Sequence, residues 1–132
     1  MLEALIGILI FSFGILGLVG LQAQSFRHIN DAQYRGEAVY LANSYISEMW
    51  TDDPKTLAAK YAASGGAGYD AFRELVKSLP GAELDANKPI VTFAAGPSKT
   101  SVLVTVKVSW QLPGESGPHN YETSAVVGLN AP

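Results

Sequence analysis

The sequence predicts an α+β fold: one long protruding N-terminal helix whose second half packs against a small antiparallel sheet of three to four strands. Three observations predict it. Residues 4–21 form an apolar run broken by no charge. From Gln22 to Trp50 a helical period continues without a proline. After Pro80-Gly81 the apolar period changes from 3.6 to 2.

Residues 4–21, ALIGILIFSFGILGLVGL, carry one hydroxyl, Ser12. At 1.5 Å per residue they make a helix of about 27 Å, close to the roughly 30 Å hydrocarbon core of a bilayer. Apolarity covers the whole circumference, which suits lipid or a bundle interior rather than a water-facing helix. A cleaved signal peptide is the competing reading. The run exceeds a usual h-region, no basic residue precedes it, and Leu21 spoils an A-x-A site ending at Ala23, so retention is expected. Residues 1–23 are therefore expected to be a membrane-embedded or bundle-embedded helix, and residues 24–132 a globular head.

Within the head, the amphipathic half of the helix covers residues 24–51. Ala38, Leu41, Ala42, Tyr45 and Met49 fall at i, i+3, i+4, i+7 and i+11, and Val39, Ile46 and Trp50 widen that face. Asp52-Asp53-Pro54 reads as a cap with proline at the first helical position, predicting a short helix over 54–63. Asp70 is placed to cap a second helix over 71–79, with Phe72, Leu75, Val76 and Leu79 on one face. The sheet is expected over about 82–129. Its clearest strand is 101–111, which alternates Val102, Val104, Val106, Val108 and Trp110 with Leu103, Thr105, Lys107 and Ser109. Residues 89–94 and 120–129 are the other strands, 82–84 a fourth, and 95–99 and 112–118 the hairpin loops. Three strands alone are marginal. Packing Val102, Val106 and Trp110 on Tyr45 and Met49 of the helix is expected to supply the missing core.

The 132 residues suffice for one small domain. Only 16% are charged and the formal net charge is −3, so a cationic surface for nucleic acid has no support, and no nucleic acid is expected as a partner. The absence of cysteine excludes disulfide frameworks, Cys-ligated metal and thiol chemistry. Gly96-Pro-Ser-Lys99-Thr100 lacks the glycine before lysine of a phosphate loop and reads as a turn. His28 and His119 lie too far apart in sequence to suggest a metal site by themselves. Glu83, Asp85 and Asn87 lack the spacing of a calcium loop. Asp52 and Asp53 read as helix caps rather than as an acid–base pair. No catalytic, cofactor or metal residue is expected, and the chain is read as a non-enzyme.

The opening MLEALIGILIFSFGILGLVGLQAQ resembles the N-terminus of type IV pilin-like proteins, which begin after leader cleavage with an apolar helix carrying one Glu near its start. Within that superfamily, LGLVGLQ at residues 16–22 looks most like the minor pilins of the type IV pilus modification (PilV) group, and the strand ending V-x-V-S-W at Trp110 is similar to that group. The resemblance implies a structural minor pilin: single-pass in the inner membrane, then part of an extracellular filament that serves cell adhesion. It further implies a prepilin peptidase that removes a leader, methylation, and an inner-membrane assembly machinery. Other pilin subunits, major and minor, are the implied partners through the N-terminal helix, with the lipid bilayer before assembly. Members carry four residues ahead of the Glu, so a chain beginning Met1-Leu2-Glu3 reads as a truncated numbering of the processed form. The lack of cysteine favours a minor pilin or a pseudopilin over disulfide-bearing major subunits. A type II secretion pseudopilin is the alternative within this architecture, and a single-pass membrane-tethered binding module the alternative outside it.

The same resemblance implies that Glu3 pairs with the N-terminal amine of a neighbouring subunit. From the residues alone, an acid at the headgroup layer explains Glu3 equally simply, since charge is cheap at a helix end. Gly14, Gly17 and Gly20 allow either close helix approach or, as the family implies, local loosening of the helix. Arg27 and Arg35 follow the apolar run. Taken alone, the positive-inside rule puts the head in the cytoplasm, and the lost basic leader that the resemblance implies reverses this.

Overall fold

The computed structural model describes residues 1–128, apart from the side chains of Arg27 and His28. The order of elements is α1 (Leu2–Met49), α2 (Leu57–Tyr61), α3 (Ala67–Val76), a 3₁₀ turn (Asp85–Asn87), β1 (Ile90–Ala95), β2 (Ser101–Trp110) and β3 (His119–Gly128). The architecture is α+β, a long N-terminal helix and one three-stranded antiparallel sheet in the order β1-β2-β3. The chain divides into two units, Met1–Gln33 and Tyr34–Pro132. That division comes ten residues after the change in side-chain character at Ala23.

The first unit is helical and its side chains through Phe26 are exposed. Its one hydroxyl is satisfied internally: Ser12 Oγ donates to the Ile8 carbonyl at 2.7 Å, so no side-chain donor of the apolar run is left over. By length and composition α1 can cross a membrane.

The second unit is built on the last three turns of α1. Ala38, Leu41, Ala42, Tyr45, Ile46 and Met49 are all buried, as their spacing predicts. They form one cluster with Val104, Val106, Val108 and Trp110 of β2, Val91 of β1 and Val127 of β3. Val102 is half-buried at the margin of that cluster. Along β2 the even-numbered residues face the core, with Val104, Val106, Val108 and Trp110 buried, but the other face is not wet throughout, since Ser101 and Ser109 are buried as well.

Four local expectations are corrected. Trp50 is 55% exposed, because α1 ends at Met49 and Trp50 lies in the following turn, off the helical face. The helix expected over 54–63 begins at Leu57: Asp53 accepts the Lys55 N–H on its side chain (2.9 Å) and the Thr56 N–H on its carbonyl (2.9 Å), which holds 53–56 as a separate turn. The second helix runs over Ala67–Val76 rather than 71–79, with Gly66 at its N-cap and Asp70 inside the first turn. Its last expected turn tightens into i→i−3 bonds from Ser78 to Leu75 and from Leu79 to Val76. Leu75, expected on the buried face, is 58% exposed, and the face that α3 buries is Tyr69, Phe72 and Val76.

The fourth strand expected at 82–84 is instead a run of turns. Gly81 has φ +67, and a Cβ there would stand 2.7 Å from the Gln111 carbonyl oxygen, so only glycine allows the chain to bend this close to the end of β2. The Gln111 N–H is taken by the Pro80 carbonyl at 2.8 Å, a single bond rather than a ladder. At the other end of the sheet, Leu129, the expected last residue of the third strand, lies outside the described residues.

Candidate functional site

Glu3 lies in the first turn of α1, where an acidic side chain is favoured by the partial positive charge of the helix N-terminus. It is exposed, as are its apolar neighbours Leu2, Leu5 and Ile6. Gly14, Gly17 and Gly20 sit within unbroken α-helix, and a Cβ at any of them would meet no atom within 4 Å. The three are thus not required by packing inside this chain. With Gly7 they leave shallow notches in an apolar cylinder.

In the head, α1 is tied to α2 and α3 through Tyr45. Its ring stacks on Phe72 (centroids 4.0 Å, 9° between planes) and meets Tyr61 edge-on at 5.5 Å. Its hydroxyl donates to the Tyr61 carbonyl at 2.8 Å, which satisfies both buried groups. Tyr61 in turn donates to Asp52 Oδ2 at 2.5 Å, and Lys60 Nζ reaches the same oxygen at 2.6 Å. The Lys60 ammonium and the Tyr61 hydroxyl hold the Asp52 carboxyl below its ordinary range. Burial raises the phenol of Tyr61, as does its bond to Asp52. Asp52 is therefore a fixed anionic acceptor that joins the end of α1 to α2, while Asp53 orders the intervening turn.

Trp110 is 1% exposed and its indole stacks on the His119 ring at 5.8 Å, whereas the ring partners of Tyr45 are Tyr61 and Phe72. Trp110 and Met49 share the buried cluster without a ring contact between Trp110 and Tyr45 being part of it. His119 Nε2 lies 2.8 Å from Glu115 Oε2, across the loop that joins β2 to β3. The side chain of His28 lies outside the described residues.

The remaining polar candidates are engaged locally. Asp85 pairs with Lys88 at 2.6 Å and lies 3.9 Å from Arg73, and the Lys88 ammonium pulls its carboxyl below the ordinary range. Asn87, 1% exposed, donates its side-chain amide to the Gly81 carbonyl at 2.8 Å, which braces the turn after α3. Among the described residues no three His, Asp or Glu side chains are grouped so that they could hold a metal ion. The segment from Gly96 to Thr100 is the β1–β2 hairpin loop, in which the Gly96 N–H bonds to the Ser101 carbonyl and Ser98 and Ser101 bond to each other. A cavity of about 680 Å³ opens beside Trp50, Lys55, Lys99, Val102 and Val127. The carboxylates at its rim, Asp52 and Asp53, are those already committed to Lys60, Tyr61 and the Lys55 N–H.

Tyr61 and Tyr69 were not singled out by periodicity, since both lie in or before helices whose boundaries differ from expectation. The Tyr69 hydroxyl donates to the Pro89 carbonyl at 2.8 Å, where β1 begins. Residues 2–21 present exposed apolar side chains, with Glu3 near their start. No family model, no curated protein and no solved structure matches this chain.

Proposed function

We propose that the chain is a non-enzymatic structural subunit of a type IV pilus-like filament, a minor pilin. Its apolar helix anchors it in the inner membrane and then enters the filament core. The observation that carries this reading is that one helix, α1, supplies both a wholly exposed apolar run behind a lone N-terminal acid and the buried face 38–49 on which the head folds. A plain membrane anchor needs only the first of these. The sequence resemblance of residues 1–25 adds the family expectation.

In this reading Glu3 neutralises the N-terminal ammonium of an adjacent pilin subunit as both enter an apolar core, where either charge alone is costly. Gln in place of Glu preserves shape and removes the charge. The uncompensated ammonium then costs on the order of 3 kcal/mol or more, which is a factor above roughly 100 in incorporation. Glu3→Gln is expected to accumulate normally in membranes and be depleted from sheared filaments, measured by quantitative blotting of both fractions. Exposed Glu83 supplies the control, Glu83→Gln. Equal incorporation of the two variants leaves Glu3 as a headgroup residue and favours a membrane-tethered module instead.

A further inference from the structure

We propose that the cavity between the turn after α1 and the β1–β2 hairpin is a binding site for a neutral sugar, a pyranose unit stacked on Trp50. This inference does not depend on the filament reading.

Three segments of the head build the cavity. Residues 50–55 form one wall, 99–102 of the hairpin loop and β2 a second, and Val127 and Gly128 of β3 the third. Close contact fixes them to one another. Gly128 has φ +134, and a Cβ there would stand 3.2 Å from Pro54 Cγ and closer still to the Thr100 carbonyl oxygen, so glycine lets the three segments meet. The space they border, about 680 Å³, lies within the roughly 300–1,000 Å³ of small-ligand pockets.

Trp50 gives the site its platform. It lines the cavity and is 55% exposed, whereas Trp110 is 1% exposed in the core. Beside it, Pro54, Val102 and Val127 extend the apolar lining. An indole left exposed on a cavity wall offers a flat, electron-rich apolar face. A pyranose presents a matching face of C–H groups, ringed by hydroxyls that each donate and accept.

The rim selects against other ligands. It carries charges of both signs, Asp52 and Asp53 with Lys55 and Lys99, so an ion of either sign meets a like charge there. A wholly apolar ligand would strip water from these groups without replacing its hydrogen bonds. Hydroxyls do replace them. Asp52 is held by Lys60 and Tyr61, and Asp53 Oδ1 by the Lys55 N–H, which leaves Asp53 Oδ2 as an acceptor. Among the described residues the Lys55 and Lys99 ammoniums enter no ion pair, which leaves them as donors. A ring of hydroxyls satisfies acceptor and donors together, and a single charged group does not.

The probes are the methyl β-glycosides of glucose, galactose and N-acetylglucosamine. Each is added at about 20 mM to the full chain in alkylphosphocholine micelles, whose headgroup contains no sugar. Saturation-transfer NMR from the protein's aromatic protons reads binding at the ring C–H groups. At least one glycoside should bind. Trp50→Ala should weaken it at least tenfold, with thermal melting unchanged because the side chain is exposed, and Trp50→Phe should restore part of that loss. Galacturonate, which adds one negative charge to the galactose ring, should bind no tighter than the neutral glycosides. Sorbitol, an open-chain polyol without a ring face, should bind at least tenfold more weakly. The proposal is overturned if none of the three glycosides binds, if Trp50→Ala retains the affinity, or if galacturonate or sorbitol binds better than all three. Binding that appears only after residues 129–132 are removed also overturns it, and assigns the cavity to that segment.

Discussion

Tyr45 concentrates the packing of α1 on the helical part of the head, and its removal should be the most informative single perturbation. Replacing a fully buried aromatic by alanine costs about 3–5 kcal/mol through lost transfer energy and the cavity left behind. The stacked Phe72 and edge-on Tyr61 add on the order of 0.5–1.5 kcal/mol for aromatic geometry. Tyr45→Phe keeps the ring and removes only the donor to the Tyr61 carbonyl, a buried acceptor whose loss of partner costs about 1–3 kcal/mol. Against a total stability of about 5–15 kcal/mol, the alanine variant should be barely folded and the phenylalanine variant clearly weakened. Both are best measured by urea denaturation of residues 24–132, because among the described residues every buried apolar side chain falls between Ala38 and Val127. The midpoint should fall in the order wild type, Tyr45→Phe, Tyr45→Ala, with an unchanged slope. A Tyr45→Ala loss below about 1 kcal/mol would refute this account of the core. Equal losses for the two variants would refute the division between ring and hydroxyl.

Trp110→Ala should cost about 3–5 kcal/mol in the same assay, since the indole is 1% exposed; near-native melting would show that its burial contributes little. For Asp52 the sign follows from the downward shift of its folded carboxyl from 3.8. Its contribution is complete above that value and is lost as pH falls through it toward the lower folded value. Asp52→Asn should therefore be less stable than wild type at neutral pH and show a shallower decline below pH 3.8; parallel acid titrations by circular dichroism that keep a constant gap would count against the clamp.

The legible parts of the sequence were those whose signal is long and periodic. Ala38, Leu41, Ala42, Tyr45 and Met49 repeat over three turns, and β2 alternates over ten residues, so one misleading residue cannot change the reading. Short helices were less legible because their ends depend on single bonds. Asp53 had the composition of a cap, yet its side chain closes a turn onto Lys55 rather than opening a helix. The apolar side chains of Trp50 and Leu75 match a buried face in spacing, but Trp50 lies just past the end of α1 and Leu75 lies off the face of Tyr69, Phe72 and Val76 that α3 buries. The clamp of Asp52, Lys60 and Tyr61 had no signal beyond proximity in the chain, since its geometry requires α2 to fold back on the end of α1.

By itself the sequence determined that this is an α+β chain with a helix apolar enough to cross a membrane and a sheet with one dry face. Those properties depend on the side-chain period and on water's exclusion of apolar surface, both of which are carried by composition along the chain. Only the tertiary structure decided that the sheet stops at three strands, that Tyr45 packs on Phe72 and Tyr61, and that β3 is left as an open edge. These outcomes turn on single close approaches, such as that of Gly81 to Gln111, and on which residues of a strand direct their backbone groups outward, for which a one-dimensional pattern carries no energy term.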